Sequence, residues 1–161
     1  MTKPISQRVV VPVANRNDAV SIATALGPYL KDTDCSVIVV HVIERISEAP
    51  NKAPIEKREQ RAEDIFGIIT ESFDTTGISV ETDLHYGTDI VSSILDAAHD
   101  SNASSVIFTP RGGSRWRKLL TGDVTHNVVT NGDLPIQIIP DRDQQQADTA
   151  ASQPNKQIAD R

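Results

Sequence analysis

The segment from Thr109 to Thr125 carries Gly112–Gly113, then Gly122, with Arg111, Arg115, Arg117 and Lys118 between and beside them and Asp123 directly after the last glycine. Glycine lets a backbone approach a ligand closely, and the start of a helix offers unpaired N–H groups and the positive end of a dipole, so the segment suits a phosphate. The same glycines also suit a plain turn, because isolated glycine pairs are weak local signals. The four cations fit either an anionic ligand or a solvated loop. Trp116 among them fits packing on a neighbouring helix or subunit better than a base-stacking platform, since it stands as a single aromatic.

Elsewhere the reactive residue types are scattered. His41 falls near the end of an apolar run, which marks a core or crevice residue, and His85, His99 and His126 lack paired metal-ligand spacing, so no metal site is assigned. Cys35 has no reactive context and reads as a spectator thiol. With no activated nucleophile or acid–base pair, the chain does not read as an enzyme.

The elements that must position these residues follow from apolar patterning. Arg8–Val13 and Val37–Ile43 are unbroken apolar runs, the mark of strands buried on both faces; Ile78–Tyr86, Ser105–Thr109 and Ile136–Ile139 complete five strand candidates. Helical spacing of Ala19, Ile22, Ala23, Leu26 and Leu30 predicts a first helix that Pro28 ends or kinks near Leu26. A second helix starts near Pro54, a residue type usual in a first turn, with Ile55, Ala62, Ile65, Phe66, Ile69 and Phe73 inward and Glu56, Lys57, Glu59, Arg61, Glu63 and Asp64 outward. A third carries Ile90, Val91, Ile94, Leu95 and Ala98, with Thr88 as N-cap; a fourth runs from about Gly122 through Val124, Val128 and Val129. Strand and helix alternate, which predicts a Rossmann-like α/β fold, a five-stranded parallel sheet with helices on both faces; the common order for five such strands is 3-2-1-4-5. Ligands gather in such a sheet where the strand order reverses, so Pro12–Asn15 and Thr109–Thr125 should face one crevice.

Among 161 residues, 16 basic and 22 acidic side chains give a net charge of -6, which argues against general nucleic-acid binding. No apolar run reaches the roughly 20 residues needed to cross a bilayer, so direct membrane insertion is not expected. Met1–Ser6 shows no charged-then-apolar leader, and with the lone cysteine this sets the expected location in the cytoplasm. The folded domain is expected over 1–140. Residues 141–161 contain Gln, Asp, Ala and Ser with almost no large apolar side chain, and are expected to be a disordered tail.

Gly112, nine residues, then Gly122 resembles the second half of the glycine motif of the universal stress protein family, Gly-x2-Gly-x9-Gly-(Ser/Thr). The resemblance extends over roughly residues 7–140 through Val10-Val11-Pro12-Val13, Val40-His41-Val42, Gly87 and Leu134-Pro135-Ile136. It implies an adenine nucleotide, AMP or ATP, in the crevice, with magnesium only in company with nucleotide. Pro12, Val13, Ala14 and Val42 would surround base and ribose; Thr109, Arg111, Gly112, Gly122, Asp123, Val124 and Thr125 would surround the phosphates. It also implies a homodimer through the last strand, Ile136–Ile139, an apolar strand at a sheet edge.

Three residues depart from the family pattern. Ala14 stands in place of an aspartate, Thr109 in place of the first glycine, and Asp123 in place of a phosphate-binding Ser or Thr. Asp123 either caps its helix and fills the anion site with the protein's own charge, or holds a divalent cation that bridges phosphates. The leading expectation is a binding and regulatory module with a variant nucleotide crevice and weak or absent ATP binding. The alternatives are a regulatory subunit of a membrane transporter that senses an adenine nucleotide, or an ATP-using adenylating enzyme of related fold. Adenylation is disfavoured because Ala14-Asn15-Arg16-Asn17 offers no glycine to wrap pyrophosphate.

Overall fold

The computed structural model describes residues 7–45, 54–108 and 134–139. Their elements, in chain order, are β1 (Arg8–Pro12), α1 (Arg16–Leu30), β2 (Ser36–Glu44), α2 (Ile55–Asp74), β3 (Ser79–Gly87), α3 (Ile90–Asp100), β4 (Ser105–Phe108) and β5 (Ile136–Ile138). The strands form one sheet of order β3-β2-β1-β4-β5, and every pairing is parallel, as the alternation of strand and helix predicts. The strand order reverses between β1 and β4.

Both faces of the sheet are buried, and successive residues serve opposite faces. Val9, Val11, Val37 and Val39 pack with Ile22 and Leu26 of α1 and Ile65, Ile69 and Phe73 of α2. Val10, Ile38, Val40 and Val106 pack with Ile94, Ala97 and Ala98 of α3. Val9, Val10 and Val11 are each fully buried, and each such side chain contributes about 1.5–3 kcal/mol. This two-sided burial is why β1 and β2 read as continuous apolar runs. β3, at the edge, is mostly half-buried or exposed, which accounts for its more polar sequence.

The helices differ from expectation in three places. α1 does not end near Leu26: it runs through Pro28 to Leu30, and the Lys31 N–H still bonds the Gly27 carbonyl at 2.9 Å. An interior proline costs about 3 kcal/mol or more, but Leu26 and Leu30 are both buried on either side of it and hold the last turn on the core. α2 starts next to Pro54, its N-cap, as expected, but Ile55, expected to face inward, is exposed, so the buried stripe starts at Ala62. The N-cap of α3 is Asp89, not Thr88; its carboxylate accepts from the Val91 N–H at 3.0 Å, a reach that Thr88, one residue earlier, does not make. The fourth helix, the segment Thr109–Thr125, residues 46–53 of the β2–α2 connection and the tail 141–161 lie outside the described residues.

Candidate functional site

At the carboxyl end of β1 the chain turns into α1 through a closed set of hydrogen bonds. The Ala14 N–H donates to Asp18 Oδ2 at 2.8 Å, and the Asp18 N–H donates to Asn15 Oδ1 at 2.8 Å. Asn15 is therefore the N-cap of α1, in extended conformation, and the buried Asp18 carboxylate ties the first turn back to Ala14. The Val13 N–H bonds the Val40 carbonyl at 2.9 Å, continuing the sheet past β1. His41, nine-tenths buried, places Nδ1 2.7 Å from the Val13 carbonyl oxygen. A carbonyl only accepts, so Nδ1 carries the proton and His41 pins the β1 exit to β2. Its ring meets Phe66 of α2 edge-on, at 6.5 Å between centroids.

These contacts frame a cleft of about 480 Å³ over the carboxyl ends of β1 and β2. Ala14, Val42, Ile43 and Ile65 give it an apolar floor, while Arg16 at the start of α1 and Arg58 and Arg61 on α2 bring positive charge; Glu44 and Asp64 bring negative charge. Arg58 and Arg61 are three residues apart and so share one side of α2. The Arg58 guanidinium donates to the Glu44 carbonyl, bracing α2 to the end of β2. Beside it, Tyr86 donates its hydroxyl to Glu59 at 2.6 Å, which raises the phenol pKa, and Arg45 stacks 5.1 Å from the Tyr86 ring centre.

The sequence-derived base and ribose residues separate into two groups. Ala14 and Val42 reach the cleft. Pro12 and Val13 are buried behind it: Pro12 ends β1, and Val13 packs in the core between sheet, α1 and α2. Thr109, Arg111, Gly112, Gly122, Asp123, Val124 and Thr125 lie outside the described residues. Sequence reasoning missed Arg16 and Arg58 and assigned Arg61 to the solvated face of α2. The signal for Arg58 and Arg61 was the spacing of two arginines on one side of a helix, a pattern a solvated face also shows. His41 is, as read, a buried crevice residue. Burial pushes the Cys35 thiol pKa up, consistent with a spectator. Among the described residues there is no group of three or more His, Cys, Asp or Glu able to hold a metal ion, and no helix there is long and apolar enough to cross a membrane.

The apolar floor and cationic wall offer a small organic anion both a surface for its carbon skeleton and charge-assisted hydrogen bonds. Two main-chain groups at the β1 exit are already engaged, the Ala14 N–H by Asp18 and the Val13 carbonyl by His41. Recognition of a ligand there is left to side chains and the remaining backbone.

An open parallel α/β sheet whose cleft lies at the carboxyl ends of adjacent strands defines a Rossmann-like ligand-site domain. The profile described as the universal stress protein family matches residues 6–140, and the chain belongs to that family. Among solved structures, a universal stress protein family member from Burkholderia pseudomallei superposes with a TM-score of 0.60 at 15% identity, covering 86% of this chain and 98% of that one. The universal stress protein from Archaeoglobus fulgidus in complex with dAMP gives 0.57 at 19% identity, over 84% and 99%. A family protein from Arabidopsis thaliana with AMP bound gives 0.56 at 15% identity, over 86% and 94%. At these identities the likeness is one of fold. No curated protein sequence matches the chain.

Proposed function

We propose that the protein is a regulatory binding module that takes an adenine nucleotide in the cleft at the ends of β1 and β2 and works without catalysing a reaction. The observation that carries this reading is the cleft itself, with Ala14 and Val42 in its floor and arginines along its wall. The AMP and dAMP held by two of the solved relatives support a ligand with one phosphate. ATP is expected to bind weakly or not at all. Ala14 brings no carboxylate to the base end, and in the sequence Thr109 and Asp123 replace a glycine and a phosphate-binding hydroxyl. Mass spectrometry of small molecules released from protein purified without added nucleotide tests the reading. An adenine nucleotide is expected, and a non-nucleotide ligand in stoichiometric amount would contradict it.

The module is proposed to act as a homodimer through β5 and Ile139. β5 is a sheet edge, and Ile138 on it is 53% exposed, an apolar edge that a second copy would cover. Light scattering at micromolar concentration should give twice the chain mass, and Ile138→Pro should reduce it; a single-chain mass for the unsubstituted protein would end the proposal.

A further inference from the structure

The end of β3 and the start of α2, which Tyr86 and Glu59 join beside the cleft, are held very differently. At the end of β3 the backbone is fixed: the Arg45 N–H bonds the Gly87 carbonyl at 2.9 Å, and Gly87 lies so close to α3 that a Cβ there would come within 2.1 Å of Ser93 Oγ. In α2 the buried stripe starts at Ala62, so residues 55–61, roughly the first two turns, contain no buried residue. Pro54 supplies no side-chain cap to the free N–H groups of these turns. Among the described residues, the side-chain hydrogen bonds that tie them to the sheet are Arg58 to the Glu44 carbonyl and Tyr86 to Glu59 at 2.6 Å. Arg58 and Arg61 nevertheless border the cleft. A helix end without apolar anchors opens at little cost, while a stretch packed in the core opens with the whole domain.

We propose that residues 55–61 form a movable wall of the cleft, latched shut by the Tyr86–Glu59 and Arg58–Glu44 contacts, which unfolds locally while the rest of the domain stays folded. Tyr86 is the positioning residue of the latch. Its hydroxyl donates to the Glu59 carboxylate, a charge-assisted contact, and Arg45, stacked 5.1 Å from the ring centre, holds the ring in place. Tyr86 is 37% exposed, so its hydroxyl can exchange Glu59 for water and the latch is reversible. The Arg58 contact ends on the main chain of β2 and fixes the wall next to the cleft. Opening withdraws Arg58 and Arg61 from the border, so the latch sets how often the cleft stands open, whatever ligand it takes.

The test is amide hydrogen exchange on the full chain without ligand, so its outcome does not depend on the nucleotide reading. The Arg58–Arg61 amides should exchange faster than those of Ile65–Phe73. Tyr86→Phe should speed them further by about threefold to tenfold, the worth of one hydrogen bond, with Ile65–Phe73, β1, β2 and the thermal midpoint unchanged. Glu59→Gln keeps an acceptor and should keep most of the protection; in Glu59→Ala, adding Tyr86→Phe should change nothing more, because the two side chains act as one contact. Equal protection of Arg58–Arg61 and Ile65–Phe73 in the unsubstituted protein would overturn the proposal. So would a Tyr86→Phe protein whose Arg58–Arg61 amides exchange as before, or one in which exchange rises across the whole domain.

Discussion

Arginines stand at both ends of the sheet and do different work. At the amino end, beside a smaller cavity of about 340 Å³, Arg8 is consumed by the fold: Nε donates to the Ser101 carbonyl at 2.7 Å and Nη2 to Glu81 at 3.0 Å. That guanidinium ties β1 to the end of α3 and to the edge strand β3. At the carboxyl end, Arg16 and Arg61 border a larger cleft and bond no other described side chain. A cation whose donors are filled by the protein's own oxygens is a brace, whereas cations left around an apolar-floored cleft are available to a ligand.

The largest effect separating the two ends is expected at Asp18, whose buried carboxylate holds the turn that presents Ala14 and Arg16. Asp18→Ala should destabilise the protein by about 2–3 kcal/mol, because it removes a buried acceptor and frees the Ala14 N–H. Thermal denaturation should show a fall of several degrees together with weaker AMP binding; an unchanged midpoint would mean the turn holds without its carboxylate. Arg8→Ala should cost less, about 1 kcal/mol, since its side chain is one-third exposed and its partner Glu81 more so. Its signature is lost stability with ligand affinity intact; a change in AMP affinity would erase the distinction between the ends. The smallest effect is expected from ending the chain at Asp141. The composition of 141–161 lacks apolar anchors, so the midpoint should move by less than the roughly 2–8 °C that one kcal/mol produces in a domain of this size. A larger drop in the melt would show that the tail packs on the domain.

The parallel sheet was legible because β1 and β2, buried on both faces, leave uninterrupted runs such as Val9–Val11 and Val37–Val40, whereas the strand order rests on the arrangement common to five-stranded sheets of this kind. Local rules failed where packing overrode them. Pro28 should end α1, but Leu30 has a place in the core. Thr88 and Asp89 both make good N-caps, and only backbone geometry chooses between them. The floor of the cleft was half legible: Ala14 and Val42 could be placed from strand ends, whereas Val13, one residue from Ala14, faces the opposite way into the core. The cationic wall was not legible, because Arg61 has the spacing of an ordinary solvated face and only the packing of α2 on the sheet brings it to the cleft.

The central claim, a nucleotide crevice altered against ATP, is tested most directly by titrating ATP and adenosine into the unsubstituted protein and Asp123→Ser. A carboxylate about 5 Å from a phosphate charge, at an effective dielectric near 20, repels it by on the order of 3 kcal/mol, roughly a hundredfold in affinity. The expected direction is that the unsubstituted protein binds ATP weakly and that Asp123→Ser raises affinity for ATP more than for adenosine. Tight, magnesium-dependent ATP binding by the unsubstituted protein that disappears in Asp123→Ser would contradict the account and make Asp123 a metal-bridging ligand.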